Sequence, residues 1–187
     1  MNGNQPELQR KQRYNLRLLA FCLVYTIFAG AMRKWVLLGG PLSNALFLGH
    51  VLMPWLFYFF AAGSRKKYAP VLLVFGAVLL LQAFNPLNQS IFHGAFGILL
   101  HLGFWLVGFH YLENRALYRW EGLAGLLLLI FIVEIGLGVV QYSLPRSHFI
   151  NRYAAEGATN IAYVGEAARV TGTFSFVAGF TSWLFFV

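Results

Sequence analysis

Ionisable side chains inside long apolar runs are the residues of this chain whose types and positions could support chemistry. Glu134 lies in the apolar run 122–142, and His101 lies at a similar depth in the run 94–112. Ionisable groups inside a membrane are costly and usually face protein or a water-filled cavity. The two side chains could therefore form a proton or ion relay, or they could hold neighbouring helices together by hydrogen bonds. Both interpretations stay open.

Basic residues beside the apolar runs form a second candidate site, suited to a phosphate. Arg169 stands two residues before Thr171, where the sequence predicts the start of a helix rich in hydroxyl groups. A guanidinium forks onto phosphate oxygens, and the first N–H groups of a helix are unpaired, so the two together suit a phosphate. The alternative is a capped helix beside a surface arginine.

Four more basic residues fall on the same predicted side of the membrane: Arg33, Lys34, Arg146 and Arg152. The first two follow an apolar run and adjoin Trp35, so their alternative role is an interfacial anchor. The other two lie with Arg169 in the segment 143–170. At about 28 residues that segment is long for a connection, which favours a functional role.

The composition restricts the classes of protein to consider. The chain of 187 residues is 59% hydrophobic and 11% charged, with six acidic residues that are all Glu. The absence of Asp excludes an Asp-x-Asp metal site and a Ser-His-Asp triad, and the single Cys22 excludes an internal disulfide. Because the basic residues flank apolar runs instead of forming a basic face, we expect no nucleic-acid binding.

A metal site of His50, His101 and Glu134 is disfavoured, because no pair at i,i+3 or i,i+4 spacing supports it. No phosphate-binding loop and no glycine-rich dinucleotide motif is present either. We therefore expect neither a metal nor another cofactor.

The apolar runs predict an all-α, polytopic membrane protein with about six transmembrane helices in a single domain. The predicted spans are 18–32, 44–63, 69–84, 94–112, 122–142 and 171–187, with 143–170 as an outer loop. With the N-terminus in the cytoplasm, nine of the fourteen Lys and Arg residues fall on the inner side and five on the outer side. This excess favours that orientation. Because the last run has no polar tail, we expect the chain to be part of a longer protein.

Four segments in a fixed order carry a resemblance to a known family. They are Gly30-Ala31-Met32-Arg33-Lys34-Trp35-Val36, Gln141-Tyr142-Ser143-Leu144-Pro145, Phe149-Ile150-Asn151, and Arg169-Val170-Thr171-Gly172-Thr173-Phe174-Ser175-Phe176. In this order the chain resembles the N-terminal half of bacterial O-antigen ligase-like and exopolysaccharide polymerase-like membrane proteins.

The resemblance implies a larger GT-C-like helical fold in the bacterial inner membrane, with its active site at the periplasmic face. Such proteins transfer a glycan from an undecaprenyl-pyrophosphate carrier without a metal or a nucleotide sugar, beside other membrane proteins of polysaccharide biosynthesis. The resemblance implies that Arg169 is the first pyrophosphate ligand and Arg33 the second. A later periplasmic loop of the family lies beyond these 187 residues, so we expect no catalysis from them alone.

The remaining candidate residues follow from their chemistry and position. The candidate general bases are Glu134 and Glu166, with Glu156 of the same outer loop as a further alternative. The further candidate substrate-binding residues are Lys34, Arg146, Arg152 and His101. Two other functions stay open. One is a transporter or channel subunit with a Glu134–His101 relay, and the other is a non-catalytic membrane scaffold of an export complex.

Overall fold

Helices make up nearly all the regular structure of this protein. The computed structural model describes residues 5–37, 40–85, 90–118, 120–152, 163–164, 167–168 and 170–174. The helices are α1 (Gln5–Ala31), α2 (Gly40–Phe60), α3 (Ala69–Ala83), α4 (Ile91–Glu113) and α5 (Trp120–Ser143). A π-helical turn, Met32–Val36, continues α1, and two 3₁₀ turns lie at Arg115–Leu117 and Phe149–Asn151. The two-residue strands β1 (Tyr163–Val164) and β2 (Ala167–Ala168) pair antiparallel. The predicted all-α class is confirmed.

Four of these helical stretches are long and apolar enough to cross a membrane. They are Gln5–Val36, Gly40–Phe60, Gly94–Glu113 and Glu121–Ser143. Their surfaces and that of α3 carry exposed large apolar side chains, for example Phe60 at 64% and Leu81 at 75% exposure. Water would disfavour such surfaces, whereas lipid accommodates them. The protein therefore has the character of a helical membrane protein.

The structure does not confirm two of the predicted spans. The helix α3 is apolar but only 15 residues long, which is shorter than the roughly 20 residues that cross a bilayer. Residues 171–174 form a turn where the sequence predicted the first turn of a sixth helix. The reason is local: Gly172 has φ +55°, and the Phe174 N–H donates to the Thr171 carbonyl oxygen at 3.0 Å. Residues 175–187 lie outside the described part of the chain.

The helix α1 begins at Gln5, well before the apolar run that starts at Leu18. Residues 5–17 are rich in Glu, Gln, Lys and Arg, which are good helix formers. Glu7 and Lys11 form an i,i+4 ion pair of 2.7 Å on the exposed surface. Exposed pairs of this kind contribute little because water and salt screen them, so helix propensity is the larger contribution.

The chain divides into two compact units. The first contains Met1–Cys22 and Val51–Trp120, and the second contains Leu23–His50 and Glu121–Val187. In the first unit α3 packs against α4. Gly94 permits this approach, because a Cβ at that position would lie 2.7 Å from the Ala83 carbonyl oxygen. The rings of Phe75 and Trp105 meet edge to face at 5.3 Å.

Polar side chains hold the connection between α2 and α3 in the first unit. Asn114 accepts the Ser64 N–H at 2.8 Å and donates to the Ser64 carbonyl oxygen at 2.8 Å. The Glu113 carboxylate accepts the N–H groups of Lys66 and Lys67 at 3.0 and 3.1 Å. Arg65 donates to carbonyl oxygens at the C-terminal end of α2, among them that of Tyr58 at 2.8 Å. The Arg65 bonds satisfy carbonyl groups that a helix end leaves unpaired, and the others satisfy backbone groups of the connection itself.

His110 is buried in the same unit among aromatic rings. Its Nδ1 lies 2.7 Å from the Tyr118 hydroxyl, and the rings of Phe57 and Tyr58 stand nearly perpendicular to the imidazole. Burial raises the pKa of Tyr118, so the phenol beside the histidine keeps its proton. Among the described residues, Nε2 of His110 has no hydrogen-bond partner and faces this aromatic setting.

Replacing Asn15 with leucine should lower the free energy of unfolding by about 2 kcal/mol. The buried Asn15 accepts the Ala62 N–H at 2.7 Å and donates to the Ala62 carbonyl oxygen at 2.9 Å, so leucine would leave both groups unpaired. Equilibrium unfolding in detergent measures the change. The exposed Gln9→Leu on the same helix is the control, and an equal loss in both variants would contradict the role of Asn15.

The second unit has an apolar core and a buried polar cluster. Ile27 and Ile130 are buried against each other, and four partly buried side chains pack around them: Phe28, Leu126, Leu127 and Phe174. The polar cluster adjoins Phe174 of this core through the turn 171–174. It contains two of the sequence-predicted site residues, Lys34 and Glu134.

Candidate functional site

The π-helical turn at the end of α1 places two cations in the protein interior. Arg33 is 7% exposed and Lys34 is 1% exposed. The Leu37 N–H bonds the Met32 carbonyl oxygen at 3.0 Å, which is the i→i+5 pattern of a π turn. A π turn holds more residues than an α turn, so it rotates the side chains that follow. Both residues were predicted at a membrane boundary, and the structure places both side chains inside the second unit.

Arg33 is held by neighbours on α2. Its Nε donates to the Ser43 hydroxyl at 3.2 Å, and its guanidinium lies 4.7 Å from the centre of the Phe47 ring. Guanidinium groups stack well on aromatic faces because they are planar and weakly hydrated. Phe47 also stacks on His50, whose Nδ1 lies 3.2 Å from the Thr26 carbonyl oxygen. The arginine head is therefore fixed in one orientation.

Lys34 binds the turn 171–174, which is distant in sequence. Its ammonium donates to the Thr171 hydroxyl at 2.8 Å and to the Gly172 carbonyl oxygen at 2.6 Å. It also lies 4.9 Å from the centre of the Trp35 ring. A buried ammonium needs such partners, because burial without them is strongly unfavourable. Lys34 therefore joins the end of α1 to the segment that follows Arg169.

Glu134 binds the next residue of the same turn. Its Oε2 accepts the Thr173 N–H at 2.9 Å, and its Oε1 bonds the Thr173 hydroxyl. That hydroxyl also lies 3.1 Å from the Ile27 carbonyl oxygen. The carboxyl group is fully buried, and both its oxygens are engaged by one threonine. In this position Glu134 stabilises the turn.

Gln141 satisfies the rest of the turn. Its Oε1 accepts the N–H groups of Thr171 at 3.1 Å and Gly172 at 2.9 Å. Its Nε2 donates to the carbonyl oxygens of Ile150 at 3.0 Å and Gly172 at 3.2 Å. A glutamine amide has two acceptor positions and two N–H donors, so this side chain uses its full capacity. It joins the end of α5 to two later segments.

Asn151 closes the C-terminal end of α5. Its Nδ2 lies 3.0–3.2 Å from three carbonyl oxygens, those of Gln141, Leu144 and Pro145. The last carbonyl groups of a helix have no partner within the helix, so this side chain serves as a cap. The carbonyl oxygen of Ile150, the residue before Asn151, accepts the Nε1–H of Trp35 at 3.1 Å. The turn Phe149–Asn151 is thus held from both α1 and α5.

The buried polar cluster therefore consists of Lys34, Glu134, Gln141, Asn151 and the turn 171–174. All four N–H groups of that turn's residues 171–174 are engaged within the protein: two by Gln141, one by Glu134 and one by the Thr171 carbonyl oxygen. The sequence assigned these N–H groups to a phosphate. Because they are occupied, a phosphate beside this turn would depend on side-chain cations.

The other predicted site residues lie in different surroundings. Arg146 and Arg152 are exposed after α5, and His101 is exposed on α4. Arg169, Glu156 and Glu166 lie outside the described residues. In the part of the chain that the structure describes, no three His, Cys, Asp or Glu side chains come together as metal ligands would.

Sequence reasoning missed Asn151, Trp35 and Ser43 as partners. Nothing in the sequence singled these residues out, because polar and aromatic side chains are common near turns and helix ends. Asn151 was noticed only as part of a family-like segment. What identifies these residues is their contact with groups far away in sequence, which a single sequence does not show.

Comparison of the chain with models of known families, with characterised proteins and with solved structures finds no match. The description of the fold and of the buried polar cluster therefore rests on the contacts of this structure.

Proposed function

We propose that this protein is a polysaccharide polymerase or O-antigen ligase-like protein of the bacterial inner membrane. It transfers a glycan from an undecaprenyl-pyrophosphate donor at the periplasmic face. In this proposal the N-terminus is cytoplasmic, six spans belong to a larger GT-C-like fold, and other membrane proteins of polysaccharide biosynthesis act beside it.

One observation carries the proposal: the separate segments behind the family resemblance meet in one buried cluster. Lys34, from the first segment, bonds Thr171 and Gly172 from the last. Gln141 and Ile150, from the middle segments, bond each other, and Gln141 also bonds Gly172. Residues spread over most of the chain thus form one connected unit, as a shared functional role would require.

The chemistry of the cluster is compatible with transfer from a pyrophosphate. The leaving pyrophosphate gains negative charge, and fixed cations can stabilise that charge without a metal. We assign the ligand roles to Arg169 and to Arg33, whose orientation is set by Ser43 and Phe47. Lys34 is a positioning residue, because its ammonium is engaged by the turn that follows Arg169.

The general base is a separate assignment. Both oxygens of Glu134 bond Thr173 in the interior, so we give this residue a structural role. Glu166 lies in the predicted outer loop and is the candidate base, which would take the proton of the acceptor hydroxyl.

Replacing Arg169 with alanine should reduce polymer formation in the cell by at least 100-fold, because losing one preorganised charge-stabilising donor costs about 10²–10³ in rate. Arg169→Lys should lose most of the activity as well, since an ammonium does not provide the two-pronged contact. Polymer is measured on gels of cell-surface glycan, with protein abundance measured by immunoblot.

The matched control is Arg115→Ala, which removes an exposed arginine from the 3₁₀ turn between α4 and α5. It should leave polymer unchanged. Normal polymer in the Arg169→Ala cells at normal protein abundance would refute the ligand role. Equal losses in both variants would point to a general effect of charge on the protein.

A further inference from the structure

Three arginines form an exposed ridge on the first turns of α1. Arg10, Arg13 and Arg17 are spaced at i, i+3 and i+7, which places them within an arc of roughly 60° on a helix. At 1.5 Å per residue the ridge is about 10 Å long. They line an open groove of about 510 Å³ together with Pro6, Gln9 and Tyr14.

The charge of this groove is not neutralised by the neighbouring acid. The Glu7 carboxylate is engaged by Lys11 at 2.7 Å and attracts Arg10 only more weakly. Among the residues that the structure describes, no ion pair involves Arg10, Arg13 or Arg17. The groove therefore carries about three uncompensated positive charges.

The packing of α1 fixes which way the ridge faces. The buried Asn15 binds both backbone groups of Ala62, and on a helix this residue lies roughly opposite the arginines. The arginine face is therefore turned away from the first unit's interior.

The length of the helix places the ridge at a particular depth. The stretch Gln5–Val36 has 32 residues, whereas about 20 residues cross the hydrocarbon of a bilayer. About 12 residues must lie beyond the hydrocarbon, and the polar part of the helix, residues 5–17, has that length. Leu18 begins the apolar part. Arg17 and Arg13 therefore lie roughly 2 and 8 Å beyond the hydrocarbon, at the level of the lipid headgroups, and Arg10 lies about one turn further out.

We propose that this basic groove binds the headgroup of an anionic phospholipid. Guanidinium groups bond phosphodiester oxygens in pairs, and basic clusters next to a membrane helix attract anionic lipid. Tyr14, 46% exposed, adds an amphipathic ring of the kind that is common at the membrane interface. The proposal is independent of the enzymatic function proposed above, because it uses no residue of the buried polar cluster.

The test uses the whole chain, purified in neutral detergent and titrated with phosphatidylglycerol or phosphatidylcholine under native mass spectrometry. Wild type should bind phosphatidylglycerol at least tenfold more tightly than phosphatidylcholine. The triple variant Arg10→Gln, Arg13→Gln, Arg17→Gln should weaken phosphatidylglycerol binding by about 100-fold, as expected for three interfacial charges. Circular dichroism checks that the variant keeps its helices. If the triple variant does not fold, Arg13→Gln alone should weaken binding about fivefold.

A second triple variant separates a specific groove from general attraction to positive charge. Lys66→Gln, Lys67→Gln and Arg115→Gln remove the same charge from exposed positions of the same unit. This control should weaken binding less than threefold, and an equal loss in the two triple variants would overturn the proposal. Equal binding of the two lipids by wild type would also overturn it. So would displacement of the lipid by an equimolar amount of inorganic phosphate, since the groove would then be a site for the free ion.

Discussion

Replacing Gln141 with leucine should lower the free energy of unfolding by roughly 2–6 kcal/mol, the largest loss expected for one substitution in the buried polar cluster. The side chain makes four hydrogen bonds, and leucine can make none of them. Each buried polar group that loses its only partner costs about 1–3 kcal/mol. The size of the loss therefore depends on how many groups are left unpaired.

The number of buried polar groups left unpaired explains why Gln141→Leu should cause a larger loss of stability than Glu134→Leu. The carbonyl oxygens of Ile150 and Gly172 keep other donors, Trp35 and Lys34. The N–H groups of Thr171 and Gly172 lose the acceptor they share, so two donors are left unpaired. Replacing Glu134 with leucine would leave only one N–H unpaired, because the Thr173 hydroxyl keeps the Ile27 carbonyl oxygen.

Equilibrium unfolding in mixed detergent measures this loss, followed by circular dichroism. The control is Gln9→Leu, the same substitution at an exposed position of α1. It should change the free energy of unfolding by no more than about 0.5 kcal/mol. A loss below about 1 kcal/mol for Gln141→Leu would show that water replaces the amide, and the buried polar cluster would then contribute little to stability.

The apolar runs were sufficient to predict the class and the approximate helices, because a long run of apolar residues favours a helix in a membrane whatever its neighbours are. The same reasoning missed the first turns of α1. Residues 5–17 are polar, so no apolar run marks them, although their helix-forming composition and the Glu7–Lys11 spacing were available signals.

The buried polar cluster was much harder to predict. Hydropathy gives the depth of a residue in the membrane but not the side of the helix on which it lies. Lys34 was therefore placed at the membrane boundary from depth alone. The structure adds that a π-helical turn directs its side chain into the protein. Gln141 was recognised as polar, but its partners lie 9 and 30 residues later, one in the predicted outer loop and the other at the start of a predicted span, and no spacing rule links either to it. Pairings of this kind depend on tertiary folding.

Removing both buried charges of the cluster should cost less than the sum of the single losses. Lys34→Met alone should lower the free energy of unfolding by about 3 kcal/mol, because it removes a charged donor and leaves the Glu134 charge buried without the cation that attracts it. Glu134→Gln keeps an acceptor for the Thr173 N–H, so its main loss, about 1 kcal/mol, is the attraction to Lys34.

The double variant isolates that attraction. With both charges removed, neither is left uncompensated, so the combined loss should fall short of the sum by about 1–2 kcal/mol. Lys34→Met combined with Gln9→Leu is the control pair, and it should be additive to within about 0.5 kcal/mol because the exposed Gln9 lies about 25 residues from Lys34 along the same helical stretch. Additive losses for Lys34 and Glu134 would mean that each acts only through its own hydrogen bonds to the turn 171–174. A shortfall of the expected size would mean that the two charges form one electrostatic unit, which fixes the turn following Arg169 from both α1 and α5.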